Sequence, residues 1–165
     1  MAVKKKTLDR MFVLIMGVIG FILFLLAAVA FNNMPDECTA PIIYHGMTIV
    51  LVIGAVMVTL AVTYMLCNVK FGECYNQDKE GSSEIYYYIG SGLSVILTIL
   101  SIAMLAQISK EDACTKDAAG QDTNNGKTLK FCIGFIMGFS ILALLGCAGG
   151  SFYVSRVIPN KVFKV

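Results

Sequence analysis

Residues 11–31 read MFVLIMGVIGFILFLLAAVAF. The run contains no charged residue. At about 1.5 Å of rise per residue, a helix of this length crosses a hydrocarbon core of roughly 30 Å. It also exceeds the roughly 7–15 apolar residues of a signal-peptide core. Although Lys4-Lys5-Lys6 precede it and Ala28-Val29-Ala30 end it, we read it as an uncleaved membrane span. Asn32-Asn33-Met34-Pro35-Asp36 then supplies polar groups and a proline that stop a helix.

Three further runs have the same character: 46–67, 86–108 and 131–154. None contains Asp, Glu, Lys, Arg or His, and none alternates as a membrane barrel strand requires. The chain has 165 residues, 57% of them apolar and 15% charged, with a mean hydropathy of +0.75. Soluble domains are about 45–50% apolar and about 25% charged. This composition excludes an ordinary soluble globule and a disordered regulator. The reading is an all-α, integral membrane four-transmembrane-helix bundle with short loops, forming one tetraspan domain over 1–165. Tyr86, Tyr87 and Tyr88, with Phe152 and Tyr153, are expected to form the interfacial aromatic belt in a chain without Trp.

The basic residues suggest an orientation. With four spans, both termini and the 68–85 loop lie on one side. That side holds Lys4, Lys5, Lys6, Arg10, Lys70, Lys79, Arg156, Lys161 and Lys164, nine of the thirteen Lys and Arg. The positive-inside rule therefore places both termini on the cytoplasmic side, in a membrane the sequence does not specify. Lys4, Lys5, Lys6, Arg10, Arg156, Lys161 and Lys164 are candidates for docking a partner, with headgroup contact as the plainer reading. A net charge of +2 gives no support for nucleic-acid binding.

Six cysteines sort by side. Cys38 and Cys114 fall in the two outer loops, where an oxidising compartment would let them pair. Cys114 with Cys132 is the competing connectivity, which sequence does not exclude; Cys38–Cys114 is favoured because both lie in aqueous loops. Cys67, Cys132 and Cys147 read as small apolar packing residues. Cys67 or Cys74 near the inner interface could carry a palmitoyl group.

Lipid offers helices little hydrophobic reason to associate, so small and hydroxylated residues must serve. The fourth run contains Gly134-x-x-x-Gly138 and Gly146-x-x-x-Gly150, and the third a stripe of Gly90, Ser94, Thr98 and Ser101. Gly17, Gly20 and Gly54 are further candidates. All are expected to pack the bundle, with a homo-oligomer seam as the alternative for one stripe. In the 109–130 loop, Asn124-Asn125-Gly126 reads as a turn.

Chemical motifs are missing. No Gly-x-Ser-x-Gly occurs, Gly90-Ser91-Gly92 lacks the third glycine of a dinucleotide fingerprint, and the lone His45 cannot build a zinc pair. Glu73, Asp78, Glu80 and Glu84 read as a solvated acidic loop. No charge inside a span argues against a pump or proton relay. Four short-looped spans resemble tetraspan membrane families in architecture only. The Cys-Cys-Gly of tetraspanin-like chains and the Trp-bearing motif of claudin-like chains are both absent.

The expectation is therefore a non-enzymatic structural membrane protein without catalytic, cofactor or metal site. It would anchor or scaffold other protein subunits, for example in a virion with an internal membrane or in an organellar membrane complex. The alternative is a small oligomeric channel or carrier lined by Ser94, Thr98 and Ser101.

Overall fold

The computed structural model describes residues 2–35, 38, 40–70, 82–110, 114–116, 120–121 and 123–152; within the helices, 2–10, 67–70, 82–86 and 151 are described by backbone alone. The fold is all-α. Among the described residues, four helices follow in order: α1 (Ala2–Asn32), α2 (Pro41–Lys70), α3 (Ser82–Ile108) and α4 (Asn124–Phe152). Each contains a segment long and apolar enough to cross a membrane: Met11–Asn32, Pro41–Leu66, Tyr87–Ile108 and Asn124–Gly150.

All four helices begin before the apolar stretches that announce them, because hydrogen bonding and backbone geometry rather than hydropathy decide where a helix starts. α1 begins at Ala2, and its 31 residues span about 46 Å, so its basic first turns project beyond a hydrocarbon core of roughly 30 Å. α2 opens on Pro41, whose missing N–H is no loss at a first helical position. The Ala40 carbonyl accepts from the amides of Ile43 and Tyr44.

α4 departs most from expectation. Asn124-Asn125-Gly126 is not a turn but the first turn of this helix. Thr123 is the cap: the Gly126 amide donates to its Oγ1 at 3.0 Å, satisfying one of the orphan donors of the helix start. Lys127 and Lys130 consequently belong to α4 rather than to the preceding loop.

The helices form an antiparallel ring. α1 packs most extensively along α2, and α3 along α4, while α1–α4 and α2–α3 contacts close the ring and α1 and α3 barely meet. The core between them is built from Leu23, Ile43, Met47, Leu97, Met104, Leu129, Ile133 and Ile136, all fully buried. Met47 and Met104 suit such a core, since an unbranched thioether fills irregular gaps. Other large apolar side chains point outward, among them Leu14, Val18, Phe21 and Leu25 of α1. A helix apolar on all sides is at home in lipid, where the outer face needs no polar cover.

Candidate functional site

Glycine makes the α1–α2 seam. A methyl group added at Gly17 would lie 2.6 Å from the Ala61 Cβ, and one at Gly20 would lie 2.6 Å from the Met57 Cβ. Gly54 faces backbone: its added methyl would meet the Gly20 carbonyl oxygen at 2.8 Å and the Phe24 nitrogen at 2.9 Å. Real Cβ atoms do not come so close, so the two helix axes depend on these glycines.

At the end of the bundle shared by the start of α1 and the finish of α4, Tyr87 is buried. Its ring centroid is 4.1 Å from that of Phe12, and the space beside it exists because Gly150 has no side chain. Tyr87 is therefore a core residue linking α1, α3 and α4, not a member of the interfacial belt, whereas Tyr88 is exposed as a belt residue would be. Next to this junction, the Cys147 thiol lies 3.9 Å from the Met16 thioether sulfur. A methyl at Gly90 would lie 2.8 Å from the Cys147 Sγ. Gly90 and Gly150 thus sit where neighbouring side chains occupy the space of a missing Cβ.

The opposite end is held covalently. Cys38 and Cys114 form a disulfide, joining the α1–α2 connection to the α3–α4 connection. Cys132 is a buried free thiol, so the competing connectivity is not formed. The tied segment then braces α4. The Thr115 carbonyl accepts from the Thr123 amide at 2.8 Å and from the Thr123 hydroxyl at 3.3 Å. A methyl at Gly126 would lie 2.5 Å from both the Cα and the carbonyl oxygen of Thr115. Gly126 marks a crossing of backbones, which is why a glycine stands inside a helix at this point.

The hydroxyl stripe of α3 is turned inward on its own helix. Ser94 donates to the Gly90 carbonyl at 2.7 Å, Thr98 to Ser94 at 2.8 Å and Ser101 to Leu97 at 2.7 Å. Ser94 and Ser101 are fully buried. These are back-bonds of the i−4 kind, which satisfy each hydroxyl on its own helix; Ser94 also faces the Cys147 thiol of α4. His45 is exposed, with its ring against Tyr44 of the same helix. Among the described residues, no group of three or more His, Cys, Asp or Glu is placed to hold a metal ion.

α4 holds the largest difference from the expected packing. Methyl groups added at Gly134, Gly138 and Gly146 would meet nothing within 4 Å. These three glycines do not bring helices of this chain together, because α4 turns their side of its surface away from its neighbours. Instead, Phe131, Phe135, Gly138, Leu142, Leu145, Gly149 and Phe152 follow one another at alternating spacings of four and three and are all exposed. This is the four-three spacing of a coiled-coil seam, and from Phe131 to Gly149 no other helix among the described residues covers it. The spacing was present in the sequence but concealed, because every face of this helix is apolar.

The remaining candidates lie outside the description. Arg156, Lys161 and Lys164, the acidic residues Glu73, Asp78 and Glu80, and Cys74 fall in residues the structure does not describe. Lys4, Lys5, Lys6, Arg10 and Glu84 are placed by backbone alone, in the first turns of α1 and α3, and Cys67 likewise near the end of α2. Comparisons with protein-family models, curated proteins and solved structures found no match to this chain.

Proposed function

We propose that this protein is a non-enzymatic, four-span structural subunit that joins a larger membrane assembly through the outer face of α4. The observation that carries the reading is the exposed seam from Phe131 to Gly149, with Gly138 and Gly149 on it and open space beyond both, as beyond Gly134 and Gly146 beside it. In lipid, association rests on close packing, and small residues between large ones let another helix approach. Elsewhere in the bundle, Gly17, Gly20, Gly46, Gly54, Gly90 and Gly150 are met closely by a neighbour. The buried, back-bonded hydroxyls of Ser94 and Ser101 weigh towards packing rather than a pore lining. The excess of Lys and Arg on the terminal side supports a cytoplasmic placement of both ends.

Two differently tagged copies should be co-expressed and gently solubilised, and the material retained with one tag should be analysed. Recovery of the second copy, or of a protein in fixed stoichiometry, that is lost in Gly138→Leu with Leu145→Ala is the expected result. The Cys38–Cys114 disulfide in that variant reports that the chain still folds. A solitary monomer, or an assembly indifferent to the variant, would overturn the proposal. So would solute flux through reconstituted vesicles that Thr98→Val abolishes.

A further inference from the structure

At the end where Tyr87 meets Gly150, a small cleft of about 40 Å³ lies between α2 and α3. It is lined by Val13 and Met16 of α1, Met57 and Leu60 of α2, and Ile89 and Leu93 of α3. α2 and α3 meet closely at the opposite end, where a methyl at Gly46 would lie 2.6 Å from the Met104 sulfur. Ile89 is exposed, so the cleft opens to the side of the bundle rather than into a central lumen. All the lining belongs to membrane-crossing segments and is apolar, as an acyl chain lying against it requires.

Charge is placed at one end of this cleft. Lys6, Arg10 and Val13 are spaced by four and three, so they occupy one face of α1, which is helical from Ala2. Arg10 lies about 4.5 Å and Lys6 about 10.5 Å from the level of Val13, towards the helix end. The first turns of α1 carry Lys4, Lys5, Lys6 and Arg10 against a single Asp9, while the first turn of α3 carries Glu84. With Lys70 closing α2, cations stand at this end on two of the three lining helices, α1 carrying the most, and Glu84 stands on the third.

We propose that the cleft seats part of an acyl chain of an anionic phospholipid, with the phosphate at the level of the basic first turns of α1, which carry Lys6 and Arg10. The inference rests on the membrane-spanning reading of the four helices. It adds a lipid class and a position to the general contact every span makes with the bilayer.

The test reconstitutes the full chain in phosphatidylcholine vesicles carrying a trace of chain-spin-labelled phosphatidylglycerol or phosphatidylcholine. The motionally restricted fraction is read by electron paramagnetic resonance. We expect a preference of about fivefold for phosphatidylglycerol, the scale of one surface cation acting on an anionic lipid. Lys6→Gln with Arg10→Gln should abolish it, and Leu93→Phe, which fills the cleft, should reduce it. Ile89→Phe at the rim serves if Leu93→Phe fails to form the Cys38–Cys114 disulfide. Equal restriction of the two lipids would overturn the site, as would a preference that survives cleft filling, which would place the lipid on the basic turns alone. No restricted phosphatidylcholine at all would instead overturn the membrane-spanning reading itself.

Discussion

The backbones of Gly20 in α1 and Gly54 in α2 are in contact: a single methyl on Gly54 would come to 2.8 Å from the Gly20 carbonyl oxygen. No side chain can rotate away to relieve that approach, since the atoms it meets are main chain. The position of α2 against α1 is accordingly set by the absence of a Cβ.

Gly54→Val should therefore destabilise the bundle by about 1–3 kcal/mol, the usual cost of overpacking a close contact. Gly92→Ala is the matched control, since a methyl there meets nothing within 4 Å. It should be neutral or slightly stabilising, as alanine favours helix over glycine. Thermal unfolding of both variants in one detergent checks the pair.

Tyr87→Ala should cost about 3 kcal/mol or more, because it empties a buried aromatic site shared by three helices. Gly150→Ala should also destabilise, since the Tyr87 ring occupies the space. Gly146→Ala, one turn earlier on α4, should not. Unfolding midpoints that failed to separate Gly150→Ala from Gly146→Ala would contradict this packing.

Loss of the disulfide should be felt at the start of α4. In Cys38→Ser the segment 114–116 is no longer tied to the α1–α2 connection, and Thr115 is what Thr123 and Gly126 lean on. Amide hydrogen exchange should accelerate over 114–116 and the first turn of α4, with an overall loss of about 2–4 kcal/mol. After partial reduction of the native chain, alkylation should reach the half-buried Cys38 before the fully buried Cys114. Peptide mapping without reductant that finds either of them free in the native protein would contradict the bond.

The Thr123 cap has its own signature. Thr123→Ala should cost about 1 kcal/mol and deprotect the Gly126 amide, whereas Thr123→Ser, which retains the acceptor oxygen, should restore both. Exchange rates at Gly126 that do not distinguish alanine from serine would remove the cap from the account.

The amino-acid sequence alone determined that there are four helices and roughly where they lie. Hydropathy is a sum over consecutive residues, and 11–31 needs no other part of the chain to be read as a span. It also identified Cys38 and Cys114 as a candidate pair, because the order of the spans puts their two loops at one end. Helix ends were less legible: Thr123 and Pro41 start α4 and α2 outside the apolar runs, by hydrogen bonding and backbone geometry that hydropathy does not register.

Only the tertiary structure decided which small residues meet another helix. Gly54 and Gly138 are indistinguishable as letters in an apolar run, yet one touches backbone and the other faces open space. Tyr87 and Tyr88 are adjacent and chemically identical, and one is buried while the other is exposed. The reason is that lipid and protein interior are alike in polarity. A spanning helix carries no hydrophobic contrast between its faces, so its orientation is set by fit against its neighbours, and fit exists only once the helices are together.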